Sequence, residues 1–218
     1  MTMYVYKGEN RMKGFFITFE GPDGSGKTTI STKVQQKLVE MGYDAIYTRE
    51  PGGIEIAEQI RNVILDPKNT AMDSKTEALL YAASRRQHLV EKVIPALEKG
   101  QIIICDRFID SSLAYQGYAR HLGIDEVYAI NEFAIEGHFP DTTIFLNLNY
   151  ADGLQRIESR AFKDRLDLET NTFHQEVSMG YQKVLEKYKH RMHVVDASNE
   201  IDKVVNDALK VVLETINQ

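Results

Sequence analysis

A single cysteine, Cys105, stands among 218 residues, so no disulfide can close within one chain. That usage fits a reducing compartment, and the expected location is the cytoplasm. Long apolar runs are missing as well. The longest, Ala78 to Ala83, is far short of a membrane span. Nor is there a surplus of positive charge. Lys and Arg number 26 against 32 Asp and Glu, a net charge of −6. This argues against a nucleic-acid coat protein and against a polybasic membrane binder. Small anionic ligands are a separate matter, because they respond to local charge. No internal repeat and no low-complexity tract occurs. Met1 to Lys13 carries charge without an apolar core, unlike a signal peptide. Residues 1–13 are read as a flexible extension, with Met12 the candidate native start, and 14–218 as one domain.

Composition is that of an ordinary globular chain, with 43% hydrophobic and 27% charged residues. At this length one domain can bury roughly 70% of its unfolded surface without staples. Apolar, β-branched runs alternate with helical periods. Phe15 to Phe19, Ile102 to Cys105, Thr143 to Leu148, His193 to Val195 and, more weakly, Ala45 to Thr48 read as strands. Between them, Ile30, Val34 and Leu38 repeat every four residues. Leu79, Ala83, Val90 and Leu97 are expected to hold the inner face of a longer helix. Ile201 to Ile216 turns Val204, Val205, Ala208, Val211 and Val212 inward. The alternation predicts an α/β fold with a parallel five-stranded sheet and helices on both faces.

Gly21-Pro22-Asp23-Gly24-Ser25-Gly26-Lys27-Thr28 fits the G-x-x-x-x-G-K-[ST] pattern, with a strand before it and an amphipathic helix after it. A phosphate chain needs many donors at close range, so the backbone itself must wrap it. Glycines allow the approach, and the following helix N-terminus adds N–H groups and a positive dipole end. Lys27 is expected to reach the β- and γ-phosphates and Thr28 to ligate Mg²⁺. The pattern predicts nucleoside triphosphate binding without naming a reaction. A GTPase switch would need D-x-x-G and N-K-x-D downstream. Neither occurs after Thr28.

A phosphotransferase needs a second anion site for its acceptor. Asp106-Arg107 ends the strand from Ile102, and ligands of open parallel sheets sit beyond the strands' carboxyl ends. Asp106 is a candidate Mg²⁺ partner, and Arg107 a bridge between donor and acceptor phosphates. Arg49 follows another strand in Thr48-Arg49-Glu50-Pro51-Gly52-Gly53, and Arg61 comes one helix later. Guanidinium forks match phosphate oxygens, so these arginines suit a phosphomonoester. Tyr81, Arg85 and His88 share a helix face and could hold a planar base. Spacing leaves the alternative open that Tyr81 is core and Arg85 surface. Arg156, Arg160, Lys163 and Arg165 lie in a charged stretch. By pattern alone its simpler explanation is a solvated helix; its functional one is a mobile lid over about 151–167. Histidines show no metal-ligand spacing.

These residues resemble a known family, the bacterial thymidylate kinases (dTMP kinases) of the P-loop nucleoside monophosphate kinase fold. The resemblance runs from Gly14 over nearly all of the chain. It is carried by Phe19-Glu20 and the P-loop through Thr29, by the Thr48 to Gly53 run, by Asp106-Arg107-Phe108 with Ser111-Ser112-Leu113-Ala114-Tyr115-Gln116-Gly117, and by Arg165-Leu166-Asp167. It implies ATP as donor, dTMP as acceptor, Mg²⁺ as cofactor and a homodimer. Gly21 to Thr29 (Gly21, Pro22, Asp23, Gly24, Ser25, Gly26, Lys27, Thr28, Thr29) would bind ATP. Arg49, Arg61 and Arg107 would clamp the dTMP phosphate. Tyr81 would stack on thymine, where the family usually has Phe, and Arg85 would donate to a thymine carbonyl. Ser112 and Gln116 would read the base edge, and Tyr115 would crowd out a ribose 2′-hydroxyl. Asp23 would sit near the acceptor's 3′-hydroxyl or the metal. No P-loop position is Arg, so the resemblance implies a catalytic cation from the lid, with Arg156, Arg160 and Arg165 as candidates. The expected reaction is γ-phosphoryl transfer from MgATP to dTMP. Its rivals are a kinase for another nucleoside monophosphate or a deoxynucleoside, and a nucleotide-dependent switch.

Overall fold

The computed structural model describes residues 14–158 and 163–217. The expected N-terminal extension and Arg160 lie outside the described residues. Five strands form one parallel sheet: β1 (Phe15–Glu20), β2 (Ala45–Arg49), β3 (Ile102–Asp106), β4 (Thr142–Asn147) and β5 (Met192–Asp196), in the order β2-β3-β1-β4-β5. The central strand β1 therefore ends between β3 and β4. The chain reverses its order across the sheet at that point, which is where a crevice opens in such folds.

Side-chain alternation divides the core into two layers. Ile17, Phe19, Ile102, Ile104, Ile144 and Leu146 face α1 (Lys27–Glu40) and the last helix. Phe16, Ile103, Cys105 and Phe145 face the other layer. That layer is built from α2 (Glu55–Leu65), α3 (Ser74–His88), a π-helical turn Leu89–Val93 running into α4 (Ile94–Glu98), and α5 (Ile109–Ser112) with its own π-helical turn Leu113–Ala119. It is completed by α6 (Ile124–Ile135), α7 (Tyr150–Glu158) and α8 (Asn171–Lys187). On the first layer α9 (Ile201–Ile216) buries Val204, Val205, Ala208 and Val212, as its period predicts. Val211 is half-buried.

One expectation is reversed. Leu79, Ala83 and Val90 lie on the outer face of the α3 segment; Leu79 is 56% exposed and Leu97 only half-buried. The inner face of α3 carries Glu77, Ala78, Ala82, Ser84, Arg85 and His88. Apolar spacing misleads here for two reasons. The buried polar groups satisfy one another: Arg85 Nε donates to Glu50 at 2.7 Å, and His88 bonds Glu50 and Thr48 at 2.9 and 2.7 Å. The π-helical turn Leu89–Val93 also shifts the angular phase between Val90 and Leu97.

Candidate active site

The P-loop joins β1 to α1. Gly24 and Gly26 hold φ of 77° and 84°, which glycine adopts without strain. At Gly24 close approach is a second constraint, since a Cβ there would collide with the Gly153 carbonyl at the start of α7. Gly26 caps α1 without a side chain, so the first-turn amides open onto the loop. Lys27 folds back over it, donating to the carbonyls of Gly21 and Pro22 at 3.0 and 2.9 Å. Burial and then the nearby Arg107 push its ammonium down to about 8. Thr28 Oγ1 donates to Asp106 Oδ2 at 2.5 Å, bringing two hard oxygens together at the helix start.

Beyond the end of β3, Arg107 takes a left-handed φ of 70°. A conformation this costly persists only where its surroundings hold it. Here the Arg107 guanidinium pairs with Asp23 and donates to Ser111, Tyr181 and Tyr115 at 2.9, 3.2 and 3.3 Å. Tyr115 Oη also donates to Asp23, at 2.5 Å. Burial works against an ionised Asp23, but Arg107 and Lys27 outweigh it and hold the carboxyl at about 2. Beneath them Glu20 is fully buried and accepts from the Phe108 and Ser111 amides, the Ser111 hydroxyl and the Tyr181 hydroxyl. Burial, then the Asp110 carboxylate, raise it to about 7.

Arg49 and Arg61 complete the far rim. Arg49 pairs with Glu58 at 2.6 Å, and Arg61 donates to the Pro51 carbonyl at 2.8 Å. Burial, then the neighbouring Arg49 charge, press the Arg61 guanidinium below its ordinary value. Cations set side by side in this way suit a dianion. One cleft of about 520 Å³ joins the two regions, running from Gly24, Lys27, Thr28 and Asp106 to Arg49, Arg61, Tyr81 and Gln116. A phosphate cradle and a second cationic subsite thus share one space.

Comparison with known proteins agrees with that geometry. The thymidylate kinase family model matches residues 19–208. Thymidylate kinase of Bacillus pumilus (strain SAFR-032) is 56% identical over 209 residues, 95% of this chain and 99% of that protein. The Bacillus velezensis enzyme (strain DSM 23117) is 57% identical over 209 residues, again 95% and 99%. The chain belongs to the thymidylate kinase family. A crystal structure of thymidylate kinase from Ehrlichia chaffeensis shares the fold, with a TM-score of 0.75 at 34% identity over 92% of this chain and 99% of that one. The expected P-loop nucleoside monophosphate kinase fold is thereby established.

Against the family pattern, most expected site residues converge. Asp23, Gly24, Gly26, Lys27, Thr28, Thr29, Arg49, Arg61, Tyr81, Asp106, Arg107, Tyr115 and Gln116 line the cleft. Arg85 and Ser112 sit behind its wall. Arg85 is 2% exposed, so the alternative that placed it at the surface fails. Its guanidinium bonds Glu50, Ser112 Oγ and Asn131 Oδ1 and lies 5.0 Å over the Phe108 ring.

The lid arginines divide. Arg165, expected as a catalytic candidate, does not line the cleft. Its guanidinium is buried, donating to Glu77 at 2.5 Å and to the Ile64 carbonyl at 2.7 Å, while Asp164, Leu166 and Asp167 face the cleft. Held there, the Arg165 guanidinium points away from the space a phosphate would occupy. Arg156, on α7, instead donates to the Gly24 carbonyl of the P-loop at 3.1 Å. Sequence reasoning also passed over Glu20, Glu50, Glu77 and Tyr181. Glu20 and Glu50 stand at strand ends beside recognised motifs, a signal that was available. Tyr181 arrives from α8 with no local pattern to mark it.

Proposed function

We propose that this chain transfers the γ-phosphoryl group of MgATP to dTMP, giving dTDP and ADP. The observation that carries the reading is Arg107, which stands between the P-loop carboxylate Asp23 and the arginine-lined half of the same cleft. An acceptor phosphate oxygen, already ionised, attacks the γ-phosphorus as the bond to the β–γ bridging oxygen breaks. No strong general base is needed, and catalysis is positioning and charge stabilisation. Lys27 moves from its own loop carbonyls to the β- and γ-phosphates, a shift that restores the partner its buried ammonium prefers. Arg107 bridges donor and acceptor phosphates, while Arg49 and Arg61 hold the far side of the acceptor.

Among the lid cations we assign the transferring phosphate to Arg156, which already reaches the P-loop. Thr28 and Asp106 suit Mg²⁺: they are hard oxygen donors, and among the described residues no cluster of carboxylates offers a closed cage. Bound there beside the phosphates, the ion would neutralise charge on the transferring group. Tyr81 stacks on thymine, and the Arg85 Nη2 donates to a base carbonyl. Ser112 orients Arg85, and Gln116 reads the base edge. Tyr115 and Asp23, bonded to each other, close the sugar side against a 2′-hydroxyl.

Two further readings accompany this one. Ile56 and Val63 on α2, Leu79 on α3 and Phe133 on α6 are exposed, Phe133 by 88%, on helices that pack side by side. They suit a homodimer contact. No described helix is long and apolar enough to cross a membrane, and the lone cysteine is buried, which fits a cytoplasmic enzyme. ADP release is measured with MgATP and a panel of dTMP, dCMP, dAMP and thymidine. Turnover greatest with dTMP is expected. Preference for another acceptor, or tight nucleotide binding without acceptor-dependent turnover, would sink the reading.

A further inference from the structure

Glu77 stands one turn before Tyr81 on α3 and is 1% exposed. It is acceptor-only when ionised, and every bond it makes is to a donor. It takes Gln116 Nε2 at 2.8 Å, Arg120 Nε and Nη2 at 3.3 and 3.2 Å, and Arg165 Nη2 at 2.5 Å. Burial pushes this carboxyl up, but Arg120, Gln116 and Arg165 together hold it below its ordinary value. Gln116 is itself 1% exposed, yet it borders the cleft. Its amide has two unlike ends, and with Nε2 on a carboxylate only one orientation is left. Among the described residues no donor of the protein reaches Oε1, and Oε1 is not enclosed away from the cleft either.

We infer that Glu77 is a specificity-determining positioning residue: by holding Gln116 Nε2 it presents Oε1, a bare acceptor, to the base edge. This rests on the dTMP reading, in which Gln116 meets that edge. Thymine carries a donor at N3, whereas cytosine carries an acceptor there. A fixed Oε1 pairs with the first and faces the second lone pair to lone pair. Free to rotate, the same glutamine would answer cytosine with its NH2 and discriminate little. The discrimination thus comes from a carboxylate that touches no substrate, and it depends on the charge of that carboxylate rather than its size. Buried polar partners left unpaired by the wrong ligand are the strongest source of such rejection.

The test compares kcat/KM for dTMP with that for dCMP in the wild-type enzyme, in Glu77→Gln and in Arg120→Met. Glu77→Gln keeps the shape and lets the Gln116 amide turn, so the dTMP-to-dCMP ratio is expected to fall about tenfold or more. Arg120→Met weakens the same network but leaves the Glu77–Gln116 bond, so both rates fall together and the ratio holds. A loss of folded enzyme scales both rates and cannot move the ratio. An unchanged ratio in Glu77→Gln overturns the inference. So does an equal collapse of the ratio in Arg120→Met. Should Glu77→Gln not fold, a crystal of the wild-type enzyme with dTMP decides. Gln116 still on Glu77, with its other amide end at base N3, supports the inference; Gln116 turned away from Glu77 overturns it. Failure of the dTMP reading is separately visible as absent wild-type turnover with dTMP.

Discussion

Replacing Arg107 by Met separates what this guanidinium does for the fold from what it does for the reaction. In the ligand-free protein Arg107 acts in opposite directions on two neighbours. It helps hold Asp23 at about 2 against an ordinary 3.8, a difference equivalent to about 2 kcal/mol favouring the folded state at neutral pH. It also helps press Lys27 from 10.5 to about 8, equivalent to about 3 kcal/mol against the folded state while Lys27 is charged. Other groups, burial first, contribute to both figures, so neither is the share of Arg107 alone. Because the two oppose each other, Arg107→Met should change stability at pH 7 by no more than about 2 kcal/mol, read by denaturant unfolding. Phosphate removes that balance. With donor and acceptor bound, Arg107 faces developing charge that the other cations only partly meet. Loss of one such donor costs about 10²–10³-fold in turnover. The expected result is near-wild-type stability, ATP affinity within about threefold, and kcat/KM for dTMP down by at least about a hundredfold. A variant that loses ATP affinity in step with turnover, or that keeps its turnover, would refute the reasoning.

Other outcomes follow from the same geometry. Lys27 titrates at about 8 in the folded chain and near 10.5 unfolded, so between those values the unfolded state binds more protons and stability rises with pH. Wild-type stability relative to Lys27→Met, followed by urea unfolding from about pH 7.5 to 10.5, should climb; a flat difference contradicts the depression of Lys27 by burial and Arg107. Gly24→Ala places a Cβ against the Gly153 carbonyl at a positive φ, so ATP binding measured by calorimetry should weaken about tenfold or more. Phe133→Glu adds a charge to the exposed helix face, and on the proposed homodimer sedimentation should show dimers for the wild type and monomers for the variant; unchanged sedimentation removes that face as the contact. Tyr181→Phe takes one donor from buried Glu20 and should cost about 1 kcal/mol in thermal unfolding.

The sequence by itself determined the strands, the phosphate loop and the family. β-branched runs such as Ile102 to Cys105 and the glycine spacing of the P-loop are local patterns, and local patterns act through the few residues that contain them. Tertiary structure decided where charge goes. No spacing reveals that Arg165 turns inward to Glu77 while Arg156 turns toward Gly24, because each choice depends on carboxylates or carbonyls more than 80 residues away. The inner face of α3 misled for the same reason. Leu79 and Ala83 have the spacing of an inner face, yet Glu77, Arg85 and His88 are buried instead, because Glu50, Gln116 and Arg120 arrive from other elements to satisfy them. Burying a polar group is costly alone and acceptable in company, and the company is assembled only by the fold.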